Sequence, residues 1–374
     1  MLTRHERIMR IFKRQDIDRP ALKLWGAFPG AGTLHPNYAG INRLAMENSD
    51  IFMTRNMPFN IYCGTHEAEL ISVASRPCGI ANWHNECTTF STPLGELSRL
   101  ERVSDIGEPG YTLEYLVKDA DDLRKLLSMP YAPMPVDIRA YQEGVAQVGD
   151  AGICMMGLDH VGYAVERLCG SELFAILSVD EPELIEEACD LFAGRLEEHV
   201  KDIIETGIKP VYAWVGPEVL TPPLMNMNGF MRYVAQPDKR ICTLIHESGG
   251  YVWVHCHGKV AKLLETYIDV GIDVLNPLEP PKNGDVDMAD IVARFGNRIG
   301  LEGNIEIQEL LDSPREQLRA LMEACVEAGA PSGRFILGPS AGYEEYVFPT
   351  KNYLDNLAFY LTYGLELVQK AAYA

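Results

Sequence analysis

The sequence predicts a (β/α)8 barrel, or TIM barrel, with an irregular N-terminal elaboration. From about residue 150, short apolar segments alternate with amphipathic helical segments, and this alternation implies parallel strands joined by right-handed crossovers. About six or seven such units follow the first strand, as a barrel requires. An open dinucleotide-binding sheet is disfavoured because no GxGxxG motif follows an early strand. We therefore expect a single barrel domain over residues 1–374.

The first 150 residues are expected to be the less regular part of this domain. Residues 3–14 place apolar side chains on one face, which predicts an amphipathic opening helix, and Ala21 to Trp25 form a short strand. Residues 27–150 contain β-like runs that Pro and Gly interrupt. This range is predicted to be an insertion or cap that covers one end of the barrel.

Residues 151–374 are expected to hold the regular strand and helix units. The predicted strands cover residues 152–156, 209–215, 251–256, 273–276, 298–302 and 334–338. The predicted helices cover residues 163–169, 182–206, 224–248, 259–270, 287–295, 314–328 and 352–369.

Composition and charge narrow the function classes. The net charge of −20 disfavours a nucleic-acid partner and a polyanionic substrate, since both need a basic surface. The chain has no apolar run of about 20 residues and no signal peptide, so we expect no membrane association. The nine cysteines are scattered without a CxxC pair, which predicts reduced thiols and a cytoplasmic protein.

A His-x-His motif ends one predicted strand. Because side chains alternate along a strand, His255 and His257 are expected to point the same way, while Cys256 points to the other side. Two imidazoles on one side of a strand end supply half of a metal site. The alternative is a pair of hydrogen-bonded structural histidines.

The barrel prediction brings further candidate ligands to the same rim. Functional groups of such barrels gather at the C-terminal ends of the strands, and a catalytic zinc site uses three protein ligands. Glu218 is the first candidate for the third ligand because it follows the preceding strand, and Glu302 and Glu279 are alternatives. Each glutamate could instead cap a helix or form an ion pair.

Three other residues at predicted strand ends could act on a substrate. Asp159 and His160 follow one strand and could serve as a base or substrate anchor, or could stabilise a turn. Tyr343 follows the last strand and could donate a hydrogen bond to substrate, or could lie in a solvated loop.

Several segments of the chain form a recognisable set: Arg4-His-Glu-Arg-Ile, Asp18-Arg-Pro, His246 to Gly258, Gly271 to Pro277, Phe295 to Asn304, and Phe335 to Ser340. With these segments the chain resembles the uroporphyrinogen decarboxylase superfamily, in particular its branch of cobalamin-linked methyltransferases. The resemblance covers most of the chain and implies the same barrel.

Departures from the branch's pattern sharpen the expected chemistry. Thiol-directed members carry a His-x-Cys-Gly motif and a later loop cysteine as zinc ligands, whereas this chain has His257 and Ala341 at those two cysteine positions. Nitrogen and oxygen ligands leave zinc more electrophilic, which suits an ether oxygen better than a thiol. The resemblance therefore implies a zinc enzyme that demethylates a small-molecule methyl donor, for example a methoxylated aromatic, and passes the methyl group to the corrinoid of a partner protein.

Two other functions stay open at this point. One is a metal-free decarboxylase or lyase that uses His160, Asp159 or Tyr343, and the other is a non-catalytic barrel that binds a corrinoid or aromatic ligand. Decarboxylation of uroporphyrinogen itself is disfavoured, because the arginine-rich signature of that enzyme is replaced here by a segment without arginine that begins at Leu22. The sequence also leaves open whether the chain forms a homodimer.

Overall fold

The structure is a computed structural model that describes residues 1–32, 35–343 and 347–372. In these ranges the strands are β1 (Ala21–Leu22), β2 (Ile51–Asn56), β3 (Ile71–Pro77), β4 (Trp83–Thr92), β5 (Gly95–Ser104), β6 (Tyr111–Glu114), β7 (Gly152–Gly157), β8 (Val211–Val215), β9 (Tyr251–His255), β10 (Val274–Asn276), β11 (Gly300–Ile305) and β12 (Phe335–Pro339). The helices are α1 (Arg4–Phe12), α2 (Ala39–Asn48), α3 (Glu67–Leu70), α4 (Ala120–Leu127), α5 (Arg139–Val148), α6 (Val161–Asp180), α7 (Pro182–Glu205), α8 (Met227–Phe230), α9 (Gln236–Ser248), α10 (Leu264–Val270), α11 (Met288–Phe295), α12 (Ile307–Asp312), α13 (Arg315–Gly329) and α14 (Lys351–Lys370).

Eight of these strands form one parallel sheet, which confirms the predicted (β/α)8 barrel fold. The strand order is β1-β12-β11-β10-β9-β8-β7-β2, and each hydrogen-bonded neighbour runs parallel to the next. Helix α1 begins at the Thr3 capping box, whose side chain accepts from Glu6 N. Its apolar face, Ile8, Ile11 and Phe12, packs against the inner side chains of the barrel strands and fills the N-terminal end of the barrel.

The two edge strands, β1 and β2, are joined by Asp50. Its backbone N–H donates to the carbonyl of Leu22 at 2.6 Å, and its carboxylate accepts from Leu22 N at 2.8 Å. Arg7 of α1 bridges this carboxylate, at 2.7 Å, and that of Asp18, at 2.8 Å. Arg7 and Asp18, which belong to the two N-terminal segments of the family resemblance, thus hold α1 against the junction of β1 and β2.

The range 27–150 is more than a cap, and here the structure differs from the prediction. It contributes a barrel strand, β2, and two helices that pack on the barrel, α2 and α5. Strands β3 to β6 of this range form a second sheet, which is four-stranded and antiparallel. Strand β2 escaped the prediction because its apolar run, Ile51 to Met53, is only three residues long and a whole sheet separates it from β7.

Two further predictions can be compared with the structure. The helix predicted over residues 224–248 is interrupted, since α8 and α9 are joined by a π-helical segment, Met231–Ala235. All nine cysteines lie in the described ranges and are free, as predicted, and seven of them are buried. Among the helices of these ranges, none combines the length and apolar character that a bilayer crossing demands.

Candidate functional site

The candidate site lies at the C-terminal ends of β8 to β11, where the predicted histidine pair is found. His255 is the last residue of β9 and pairs with Val215 of β8 on one side and Asn276 of β10 on the other. Residues that pair across parallel strands point to the same face of the sheet. The parallel register therefore places an amide side chain directly beside the first imidazole.

His255 is buried among aromatic and amide groups. Its Nδ1 lies 2.6 Å from Oδ1 of Asn276, and its ring stands edge-on to Trp25 with ring centres 4.4 Å apart. Burial, with a smaller contribution from the charge of His257, lowers the pKa of His255 to about 3. The ring is therefore neutral at physiological pH, and a neutral imidazole is the form that binds a metal.

His257 lies beside His255 at the mouth of the barrel, with ring centres 4.4 Å apart. Its Nδ1 is 2.8 Å from one oxygen of Glu279, whose other oxygen accepts from Gly258 N at 2.6 Å. Burial alone would lower the pKa of His257, but the hydrogen bond and the charge of Glu279, helped by the neighbouring carboxylates, raise it overall. Cys256 points the other way, as predicted, and its sulfur accepts from the hydroxyl of Tyr267 at 3.2 Å.

The three candidate glutamates have different surroundings. Glu279 uses both oxygens to hold His257 and the following backbone. Glu302 is fully buried and accepts from Lys23, Asn276 and Trp253. Glu218 lies in the 3-10 turn Pro217–Leu220 after β8, and its Oε2 is buried without a hydrogen-bond partner in the described part of the chain.

A glycine shapes the turn that carries Glu218. Gly216 has φ +110°, a conformation that residues with a side chain rarely adopt. A Cβ added there would meet the ring of Tyr163 at 2.1 Å. The chain can therefore leave β8 at this angle only with glycine at position 216.

The donor types of the site fit zinc, although a closed ligand set is not assembled. No group of three or more His, Cys, Asp or Glu side chains is arranged to hold a metal ion within residues 1–32, 35–343 and 347–372. Each imidazole, however, makes its side-chain hydrogen bond through Nδ1. The Nε2 atoms of His255 and His257 and the unpartnered oxygen of Glu218 are the kind of donors that a catalytic zinc uses.

Asp159 and His160 lie apart from the histidine pair, at the end of β7. His160 is buried, and its Nδ1 accepts from Tyr163 N at 3.1 Å, so that it caps α6. Asp159 faces a cavity of about 250 Å³ that Arg167 also lines. Burial raises the pKa of Asp159, and the charge of Arg167 opposes this shift.

Tyr343 is fully buried in the main core. Its backbone N–H donates to the carbonyl of Trp25 at 3.3 Å, and its ring packs edge-on against Tyr38 with ring centres 5.4 Å apart. Its own carbonyl accepts from the hydroxyl of Tyr353 at 2.7 Å. These contacts place it beneath the loop that follows β1 rather than at the mouth of the barrel.

Three residues of the site were missed in the sequence. Lys23 and Trp25 follow β1, and Asn276 ends β10. The signal for Lys23 was a lone cation within an otherwise apolar strand, and the signal for Asn276 was its position before Pro277 at a strand end. Their contacts with Glu302 and His255 depend on strand register, which local pattern does not reveal.

One solved structure supports this fold by its similarity to the chain. A methyltransferase from Methanosarcina mazei aligns over 98% of this chain and 99% of its own, with a TM-score of 0.60 and 17% identity. A mannanase from Bacillus subtilis aligns over 93% of this chain and 87% of its own, with a TM-score of 0.42 and 8% identity. A search of curated protein sequences gives no significant match.

The family model described as uroporphyrinogen decarboxylase (URO-D) matches residues 158–359. This range is more than half of the chain, and it includes both histidines and the glutamates at positions 218, 279 and 302. The chain therefore belongs to the uroporphyrinogen decarboxylase family, as its sequence segments predicted.

Proposed function

We propose that the protein is a zinc-dependent methyltransferase that moves a methyl group from a methoxylated aromatic compound to the corrinoid of a partner protein. One observation carries the proposal. Two imidazoles with their Nδ1 atoms engaged lie beside each other at the barrel mouth, and the charge of the half-buried Glu218 carboxylate reaches His257. His255, His257 and Glu218 would hold the metal.

Nitrogen and oxygen donors favour an ether as the methyl donor. When bound, zinc would act as a Lewis acid that withdraws electron density from the ether oxygen. The chain's own part is to hold the donors: Asn276 and Glu279 orient the two rings through their Nδ1 atoms. Residues that hydrogen-bond a metal-binding histidine in this way fix the orientation of its ring and raise the affinity for the metal.

The walls of the site suit an aromatic substrate better than a polyanion. Trp25 is half-buried at the mouth, edge-on to His255, and offers a ring surface for stacking. Lys23, a cation whose charge acts on His255, is paired with Glu302 and is therefore not free to bind an anionic substrate. The carboxylates of Glu218 and Glu279 would repel an anionic group at the metal.

The rim after β8 offers a surface for the corrinoid partner. Leu224, Met227 and Met231 follow this strand, and 63%, 42% and 39% of their surfaces are exposed. Exposed apolar side chains at the mouth of a site are typical of interaction surfaces. A corrinoid domain seated there would bring its cofactor to the open end of the barrel.

Zinc content and methyl transfer test the proposal together. The His255→Ala variant should lose stoichiometric zinc and methyl transfer from a methoxylated aromatic to a corrinoid protein, because one of three ligands is gone. His66→Ala, which removes a partly exposed histidine at the start of α3, is the matched control and should change neither. Unchanged zinc in His255→Ala would refute the metal assignment.

A metal-free decarboxylase is the second candidate, and Asp159 is the observation that favours it. A carboxyl group with a raised pKa beside Arg167 in a cavity could hold a substrate carboxylate and supply a proton. Asp159 and His160 both line this cavity, whereas Tyr343 is buried in the main core. Release of carbon dioxide by zinc-free protein, lost in Asp159→Asn, would favour this function.

A further inference from the structure

A buried chain of polar contacts connects His255 to the opposite side of the barrel interior. Asn276 contacts His255 through Oδ1 and contacts Oε1 of Glu302 through Nδ2, at 2.6 and 2.8 Å. The same Oε1 lies 2.5 Å from the ammonium group of Lys23. All four side chains are at most 6% exposed, so water does not compete for these contacts.

The side chains of Lys23 and Glu302 can meet because one position of β12 is a glycine. Lys23 follows β1 and Glu302 lies in β11, and β12 runs between these two strands. On β12 the facing residue is Gly338, where an added Cβ would lie 3.4 Å from Oε1 of Glu302. Lysine and glutamate therefore meet across a strand that presents no side chain between them.

Two groups that can only donate, the ammonium group of Lys23 and the indole N–H of Trp253, determine the direction of these hydrogen bonds. An ammonium group has no acceptor, and neither does the indole N–H of Trp253, which lies 2.7 Å from Oε2 of Glu302. As a carboxylate paired with this ammonium group, Glu302 can only accept, so the Asn276 atom that faces Oε1 is the NH2 group. The amide oxygen then faces His255, whose Nδ1 must carry the proton.

We propose that Lys23, acting through Glu302 and Asn276, sets the tautomer of His255 with the proton on Nδ1 and the lone pair on Nε2. Lys23 and Glu302 are positioning residues, since neither touches the mouth of the barrel. The benefit for zinc binding rests on the proposed function above, whereas the tautomer itself does not. His257 has a separate acceptor, Glu279, and is outside this chain of contacts.

The double variant Lys23→Met/Glu302→Gln reverses the direction of the hydrogen bonds that connect position 302, Asn276 and His255. Without the ammonium group, the glutamine oxygen accepts from Trp253 and its NH2 group faces Asn276, whose amide must turn its oxygen toward position 302. The amide NH2 then faces His255 and forces the proton to Nε2. In Glu302→Gln alone, the single oxygen stays beside the charged ammonium group of Lys23, and the neutral N–H of Trp253 loses its acceptor. Asn276 and His255 therefore keep their wild-type arrangement.

Imidazole ¹⁵N NMR of the full chain reads the tautomers directly. We expect His255 protonated on Nδ1 in the wild type and in Glu302→Gln, and on Nε2 in the double variant, with His257 unchanged in all three. Zinc affinity should fall at least tenfold in the double variant, in line with outer-partner effects at metal sites. Lys351→Met/Asp355→Asn, which removes an exposed ion pair, is the matched control and should change nothing.

Each outcome decides a different claim. His255 protonated on Nε2 in the wild type, or on Nδ1 in the folded double variant, overturns the proposal. If the double variant does not fold, the wild type and Glu302→Gln carry the test, and a proton on Nε2 in either overturns it. A reversed tautomer in a protein that binds no zinc supports the role of Lys23 and refutes the proposed function instead.

Discussion

Glu279→Gln is a small change that should weaken zinc binding strongly. In the wild type, one carboxylate oxygen accepts from Gly258 N and the other accepts from Nδ1 of His257. Glutamine must use its single oxygen for the backbone N–H, so its NH2 group faces the imidazole. His257 must then accept at Nδ1 and carry its proton on Nε2, the atom proposed to bind zinc.

The size of the expected loss in zinc affinity follows from the role of Glu279, a buried residue that holds a proposed metal ligand without binding the metal itself. Only 3% of its surface is exposed, so water cannot replace the lost acceptor. Loss of such a partner weakens metal binding by about 10–100-fold, which corresponds to ~1.4–2.7 kcal/mol. The pKa of His257 should also fall, since the carboxylate of Glu279 is what outweighs burial.

Isothermal titration calorimetry with zinc and a competing chelator measures this change. Glu265→Gln is the matched control, because it makes the same substitution at an exposed position of α10, where Glu265 pairs with Arg298. The control should bind zinc as the wild type does. Equal affinity of folded Glu279→Gln and wild type would refute the argument that Glu279 prepares His257 for the metal.

Three further predictions concern the scaffold. Asp50→Ala should lower the free energy of unfolding in urea by ~3–5 kcal/mol, because Arg19 loses its carboxylate partner and Arg7 keeps only Asp18; exposed Asp16→Ala should leave it unchanged. The pKa of His84 is raised above 6.5 by its hydrogen bond to Glu86, so its contribution to stability is complete below about pH 6.5 and is lost as pH rises through the raised value; Glu86→Gln should bring the NMR-measured pKa back down. Gly216→Ala should cost about 1–3 kcal/mol in the same urea experiment, because of its positive φ and the aromatic ring against it.

The barrel could be predicted where the chain is regular. From β7 onward each strand is an apolar run with a helix behind it, and the predicted strands match the observed ones within a few residues. Strand β2 could not be found in this way, because the sheet β3 to β6 separates it from β7. Its place in the barrel is decided by pairing with β7, a long-range contact that local periodicity does not contain.

The sequence predicted which way the two histidines of the site point, but not which residues contact them. Alternation along β9 correctly placed His255 and His257 together and Cys256 away from them. By contrast, Glu302 was predicted to end its strand, yet it lies within β11 and contacts Lys23 and its neighbours. Only the register of β9, β10 and β11 brings Asn276 between it and His255, so these roles required the three-dimensional structure.

X-ray absorption spectroscopy of the zinc-loaded protein tests the central claim most directly. A site built from His255, His257 and Glu218 predicts one zinc per chain, with nitrogen and oxygen neighbours at about 2.0–2.2 Å and an imidazole signature. A sulfur neighbour at about 2.3 Å, or the same spectrum in His255→Ala, would contradict the account.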